Sequence, residues 1–343
     1  MIKKSVSIRT IAMELNTSIT TVSFILNGKA KEKHISNKLT EKVLDYARKV
    51  NYKPNQIAQS LRTGKTKILV FMVEDISNPF YARLARIVEA IAYDNGYRFV
   101  FCSTENQDSK SIELINLYKN KQVDGFIIVP SPGIEGTIKE LIDEDIAVIL
   151  FDRAFDDLEC HSILLKNFDA VFEATNHLIA NQFKNIAFIT TDSDQMQLRQ
   201  RSSGYEKAII NHGLKSYVLR IPCKEIPDGN SKKLIQTFIE ENKELDAVFF
   251  ATNCLTQAGL EVFRENKSDR IQNLGMITFD DNELFKIYSP TITAISQPLE
   301  AMANKLMEVM LGLLAKKEIN KSFEKFEFNA ELRVRESSVR ICV

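Results

Sequence analysis

Hydroxyl groups on a basic segment are the first feature of this chain that could do chemistry. Ser18-Ile19-Thr20-Thr21 opens a stretch that closes on Asn27-Gly28. Serine can cap a helix and Asn-Gly can stop one, so Ser18–Asn27 reads as one short helix. Ile19, Thr20 and Thr21 then sit early on it and face outward. A threonine hydroxyl donates or accepts, and a methyl group suits thymine, so the chemistry is recognition of base edges, with no bond made or broken. Ser7–Leu15 precedes it, with Ile8, Ile11, Ala12 and Leu15 at helical spacing and Asn16-Thr17 as the break. Two helices on a tight turn form a helix-turn-helix, whose second helix enters the major groove. Many helical hairpins share that spacing. Charge adds to it: residues 1–66 hold thirteen Lys or Arg and four Asp or Glu, a net +9, which leaves −9 for the rest of a neutral chain.

Catalytic chemistry finds little to stand on. There is no Walker loop, no GxGxxG after a strand and no GxSxG elbow. Gly133-Ile134-Glu135-Gly136 follows a strand and reads as a loop. His34, His161, His177 and His212 have no metal-ligand spacing, so neither a metal nor a cofactor is expected. Five scattered cysteines without a CxxC pair fit reduced thiols. The longest apolar runs are strand-sized, and Met1–Ser5 leads into polar residues, so a cytoplasmic protein without a membrane segment is expected.

The elements behind these residues divide the 343-residue chain. A third helix is expected from Asn37 to Val50, with Leu39, Val43, Leu44, Ala47 and Val50 inward. Tyr52-Lys53-Pro54-Asn55 starts a short helical stretch that ends in the joint Arg62-Thr63-Gly64-Lys65-Thr66. From Lys67 strands and helices alternate. Ile68–Val73, Tyr97–Cys102, Gly125–Val129, Val148–Phe151, Ile186–Thr190, Ala247–Ala251 and Met276–Phe279 read as strands. Helices are expected at Tyr81–Asn95, Ser111–Asn120, Ala170–Asn181, Leu198–His212, Lys232–Glu241 and Leu255–Glu265. The strands are continuous apolar runs, as in parallel sheets covered on both faces. Two successive α/β units suit this length better than one sheet. The divisions are then 1–51, a helix-turn-helix domain; 52–66, a hinge helix and linker; and 67–343, an effector-binding and dimerisation domain.

The residues go further than the pattern. Ile8-Arg9-Thr10-Ile11-Ala12, Ser18 to Asn27 and Ile35-Ser36 resemble the head of the lactose-repressor (LacI/GalR) family of transcription regulators. Asn51-Tyr52-Lys53-Pro54-Asn55-Gln56-Ile57-Ala58-Gln59-Ser60-Leu61-Arg62-Thr63-Gly64 resembles its hinge. Further along, Ile76 to Tyr81, Phe151-Asp152-Arg153, Arg201-Ser202-Ser203-Gly204-Tyr205, Phe279-Asp280-Asp281, Gln297-Pro298 and Glu331 to Ser338 match in order. The resemblance implies an N-terminal all-α helix-turn-helix head with hinge helix, followed by an α/β periplasmic-binding-protein-like effector domain of two subdomains with parallel sheets. It also implies three crossovers between the subdomains, near Leu165, Ser296 and Phe326.

The same resemblance implies which residues act. In the head these are Ile19, Thr20, Thr21, Ser23, Asn27 and His34, the last being either a DNA contact or a solvated loop residue. In the hinge they are Asn55, Ala58 and Leu61, with Leu61 as an apolar wedge that unstacks a base step. In the sensor, Asn78, Phe80, Arg153, Arg201, Asn253 and Asp280 would line an effector cleft, the charged groups binding hydroxyls and Phe80 stacking on a ring. Asp280 and Arg153 could instead cap helices or pair with each other. Departures from the family pattern are Asn16 for glycine, Phe24 for arginine, Lys166 for aspartate and Cys254 for aspartate. Phe24 either packs inward or meets a thymine methyl. The function implied is a repressor acting as a homodimer on a near-palindromic DNA operator, controlled by a small-molecule effector, a sugar or sugar derivative, or else a purine-like metabolite. An enzyme and a secreted sugar-binding protein are the competing classes. The missing motifs count against the first; the basic head and the polar start count against the second.

Overall fold

Three serines start the helices of the N-terminal unit, and three left-handed residues end them. In the computed structural model, which describes residues 6–52, 64–226, 229–266, 268, 273–315 and 322–340, this unit has helices α1 (Ile8–Glu14), α2 (Ile19–Leu26) and α3 (Asn37–Lys49). Ser7, Ser18 and Ser36 cap them, each side-chain oxygen accepting from the amide three residues on. Each helix ends at a residue of positive φ: Asn16 at 48°, Gly28 at 71° and Asn51 at 50°. In each case the next amide reaches back to close the last turn, as Thr17 does to the Ala12 carbonyl at 2.9 Å. Asparagine tolerates this conformation better than other side chains, so Asn16 does what glycine would. Ile11, Val22, Ile25, Val43 and Ala47 form the core between the helices. Leu44 was expected there and is exposed; Tyr46 packs inward instead. The turn of α3 places 39, 43, 46 and 50 on one stripe, and 44 falls off it.

The chain divides between Lys67 and Ile68, and the second unit is two sheets of one design. The first sheet has β1 (Ile68–Val73), β2 (Arg98–Ser103), β3 (Gly125–Ile128), β4 (Ala147–Phe151) and β5 (His161–Leu165) in spatial order β2-β1-β3-β4-β5. The second has β6 (Ile186–Asp192), β7 (Tyr217–Pro222), β8 (Ala247–Phe250), β9 (Gly275–Phe279) and β10 (Thr293–Ser296) in order β7-β6-β8-β9-β10. All these pairings are parallel. Every residue of β4 and β9 is buried, which is why they read as unbroken apolar runs. Helices α4 (Pro79–Asp94), α5 (Asp108–Asn120) and α6 (Glu135–Asp143) belong to the first sheet, and α7 (Asn167–Ala180), α8 (Met196–Asn211), α9 (Asn230–Glu241), α10 (Asn253–Glu265) and the one-turn α11 (Leu284–Ile287) to the second. Gly133–Gly136, expected as a loop, runs into α6 at Glu135. Among the described residues no helix is long and apolar enough to cross a membrane.

The chain passes between the sheets three times. It leaves the first after Leu165. It returns after Ser296 through α12 (Leu299–Ala315), which packs on α4 and β4. It then adds β11 (Lys325–Phe328) beside β5, crosses again, and adds β12 (Glu331–Arg333) antiparallel to β10.

Candidate effector cleft and recognition surface

Parallel α/β sheets collect ligand-binding groups beyond the carboxyl ends of their strands, and here both sheets offer those ends to one cleft. Asn78 follows β1 and caps α4, its Oδ1 accepting from the Phe80 amide at 3.0 Å. Asn253 follows β8 and begins α10. The two meet, Asn253 Nδ2 donating to Asn78 Oδ1 at 2.7 Å. Gln195 Nε2 donates to Asn106 Oδ1 at 2.9 Å, and Arg199 pairs with Asp156 at 2.9 Å. Each of these contacts joins the two subdomains.

Arg153 stands two residues after Phe151, and Asp280 one residue after Phe279. Asp152 and Asp280, each directly after its strand, share a positive φ, 67° and 70°. Arg153 is buried and pairs with Glu74 at 2.9 Å, not with Asp280. Its Nε and Nη1 have no protein partner. Asp152 accepts from the Tyr81 hydroxyl at 3.1 Å, and burial first, then the Asp152 charge, holds that phenol well above its ordinary value. Asp280 accepts from Gln297 Nε2 at 2.7 Å. Burial raises its carboxyl above the usual range, while Arg201 and Gln297 pull it back.

Arg201 is held on every side. Its Nε donates to Asn167 Oδ1 at 2.8 Å, its Nη1 to the Ala251 carbonyl at 2.8 Å, and its guanidinium carbon lies 3.4 Å from the Phe279 ring centre. Gly204, one turn later on α8, lets that helix press on α7: a Cβ there would lie 2.5 Å from the Phe168 carbonyl oxygen. Tyr205 is scaffold too, its hydroxyl donating to the Ile186 carbonyl at 2.7 Å. Phe80 is buried against Phe151 and Tyr81, with ring centres 6.3 and 5.0 Å away.

One pocket is lined by Phe80, Asn253 and Asp280 together with Arg83, Asp281 and Gln297. Arg153, Arg201 and Asn78 are not in its lining. Gln197 and Gln297 each keep a buried side-chain oxygen without a protein partner. A buried polar atom left unpaired costs about 1–3 kcal/mol, so these atoms and the free Arg153 nitrogens favour a ligand that pairs with them. Glu74, Asp152, Asn167 and Gln197 were not among the expected site residues. Asp152 stands beside Arg153, which was; nothing in the sequence distinguishes Glu74, Asn167 or Gln197. Lys166 caps no helix with its side chain, and its amide donates to the Phe328 carbonyl at 2.9 Å. Cys254 donates to Asn253 Oδ1 at 3.3 Å, and desolvation with the Glu74, Asp280 and Asp75 carboxylates pushes its thiol up to about 11.

In the head, Ile19 and Thr20 are exposed on the first turn of α2. The Thr21 hydroxyl lies 2.8 Å from Ser18 Oγ, and Asn27 Nδ2 donates to the Ser23 carbonyl at 2.7 Å. His34 is exposed, with φ 51°. Asn55, Ala58 and Leu61 lie outside the described residues.

Comparison with known proteins gives two family matches. Residues 65–318 match the periplasmic binding proteins and sugar binding domain of the LacI family, and residues 7–55 match the bacterial regulatory proteins of the lacI family. The HTH-type transcriptional regulator RegA of Clostridium saccharobutylicum is 32% identical over 336 residues, covering 97% of this chain and 99% of that protein. Catabolite control protein A of Priestia megaterium is 26% identical over 330 residues, covering 96% and 98%. Among solved structures, the lac repressor dimer bound to operator and the anti-inducer ONPF superposes with a TM-score of 0.83 at 18% identity, over 98% of this chain and 100% of that one.

Proposed function

The chain belongs to the LacI family of bacterial regulatory proteins, DNA-binding transcriptional regulators, and from this we propose that it is a repressor whose operator affinity is set by a sugar or sugar derivative bound between the two sensor subdomains. The observation that carries the effector half is the cleft itself: Asn78 and Asn253 bridge it, and buried polar atoms of Arg153 and Gln297, just after β4 and β10, and of Gln197, in the first turn of α8, have no protein partner. A hydroxyl-rich ligand would satisfy donors and acceptors together. The match to a sugar binding domain supports the same class.

In this reading residues 1–51 are the DNA-reading domain, 52–66 a hinge that folds on the correct DNA, and 67–343 the sensor and dimerisation domain. Ile19, Thr20, Thr21, Ser23, Asn27 and His34 meet the major groove or its phosphates. Asn55, Ala58 and Leu61 meet the minor groove, with Leu61 as the wedge. A homodimer reads a near-palindrome because twofold protein symmetry requires two half-sites. Effector in the cleft changes the relative orientation of the subdomains and so the docking of the hinges. DNA in turn changes effector affinity by the same factor.

The test is selection of bound duplexes from a random pool by the full-length protein at near-physiological salt, followed by a panel of sugars and purines against the selected site. A palindrome whose affinity a sugar shifts is the expected result. Response to purines alone would overturn the ligand class, and independence of DNA and effector binding would overturn the coupling. Leu61→Ala should weaken the selected site far more than random duplex; equal losses would remove the wedge.

A further inference from the structure

Helix α2 carries no charged residue, although it is the element assigned to a polyanion. Its outward line runs through Thr20, Phe24 and Asn27, spaced four and three residues apart. Phe24 is half-buried but takes no part in the head's apolar core, which draws Val22, Ile25 and Leu26 from this helix. What covers the ring is Lys33, whose Nζ stands 5.6 Å from its centre.

The loop that delivers this lysine is tightly closed. The Gly28 amide donates to the Ile25 carbonyl at 3.1 Å and the Lys29 amide to the Phe24 carbonyl at 2.8 Å, which closes the last turn of α2. Ala30 is buried in the head core and pins the next turn. The Lys33 amide then donates to the Lys29 carbonyl at 3.0 Å, and the Ile35 amide to the Ala30 carbonyl at 2.9 Å. A built loop, anchored at both ends, thus sets an ammonium group on the outward face of a neutral helix.

We propose that Lys33 is a phosphate-contacting cation of the recognition surface and that Phe24 is the platform that positions it. The proposal rests on the DNA-binding reading above. An ammonium over an aromatic ring is attracted to its face and keeps N–H donors for an anion on the other side. Holding the ammonium over a ring also lowers the entropy lost when it binds. Glu32 lies 3.1 Å from Nζ, and a DNA phosphate would take its place on docking.

The test uses the full-length protein and random-sequence duplexes, with affinity measured between about 50 and 200 mM salt. Lys33→Gln should reduce the slope of log affinity against log salt by about one and weaken all sequences alike. Phe24→Leu, which keeps an apolar helix former, should lose part of the same increment. The double variant should lose no more than Lys33→Gln alone, since the ring acts through the lysine. Glu32→Gln should raise affinity. An unchanged slope in Lys33→Gln, independent addition of the two losses, or a changed base preference at one position would each overturn the phosphate assignment. Folding of each variant is checked by circular dichroism. A wild-type protein that binds no duplex at any salt would instead overturn the regulator reading.

Discussion

The side-chain amides of Asn78 and Asn253 hydrogen-bond to each other from opposite subdomains, Asn253 Nδ2 donating to Asn78 Oδ1 at 2.7 Å. Asn78 is fixed by its other task, capping α4 through the Phe80 amide. The pair therefore ties the start of one helix to the start of another across the cleft. An arrangement of this kind senses closure, because it exists only when the two strand ends are close.

Asn253→Ala should weaken effector binding about tenfold, equivalent to about 1.4 kcal/mol, while lowering the sensor's unfolding temperature by no more than a few degrees. Titration calorimetry with the effector found in the sugar panel measures the first quantity, and thermal unfolding the second. Unchanged affinity would leave Asn253 as a packing residue.

Asp280 makes a statement about pH. Burial raises its folded pKa above the ordinary 3.8, so the folded state binds more protons than the unfolded one as pH climbs out of the ordinary carboxylate range. Its contribution to stability is fully present below that range and is lost as pH rises through the folded value. Asp280→Asn removes the titration. Urea unfolding of wild type and variant from about pH 4 to pH 7 should show the variant gaining on wild type with rising pH. A flat or reversed gap would contradict the direction of the shift.

Thiol chemistry separates the cysteines. Cys223 and Cys254 are exposed, Cys102 and Cys160 buried, and the Cys160 thiol is pushed up to about 12 by burial. With its thiol near 11, Cys254 holds only about one part in a thousand thiolate at pH 8. Its alkylation by iodoacetamide should be slow at pH 8 and rise about tenfold per pH unit toward 10. Mass mapping reads this directly, and effector should protect Cys254 because it adjoins Asn253. Rapid labelling at pH 7 would overturn the assignment.

His34 offers a separation of backbone from side chain. It stands with φ 51° just after the Ala30–Lys33 turn, where glycine is the usual residue. His34→Gly should leave head stability within about 1 kcal/mol of wild type or raise it, since relief of strain and added chain freedom oppose each other. DNA affinity should fall severalfold if the imidazole meets a phosphate. Equal affinity would make the position a turn residue only.

The elements legible in the sequence were those whose burial is uniform. Strands such as β4 and β9 are buried along their whole length and read plainly. The edge elements did not. β11, Lys325–Phe328, and β12, Glu331–Arg333, are short, charged and only half covered, so they carry no apolar run. β7 holds Arg220 and ends at Pro222, which breaks the pattern again. α12 was not among the expected helices although it carries the helical period, burying Leu299, Met302, Ala303, Leu306, Met307, Met310 and Leu313 on one face. In the cleft, Arg201 and Asp280 stood out by type and place. Asn167, which holds Arg201, is an ordinary asparagine until the α7–α8 contact brings it there. Its role comes from packing, which spacing along the chain does not encode.

The order in which the two sheets are finished bears on how the protein is made. β11 completes the first sheet and β12 the second, and both come after every other strand. α12, which covers part of the first sheet, is also made after the whole of β6–β10. On a ribosome, then, the first subdomain cannot close while the second is being synthesised. It waits with the edge of β5 unpaired, open to misassociation with another nascent chain. Neither half reaches its final form alone, and a chain cut short before Lys325 would leave two incomplete sheets, prone to aggregation, in place of one intact lobe.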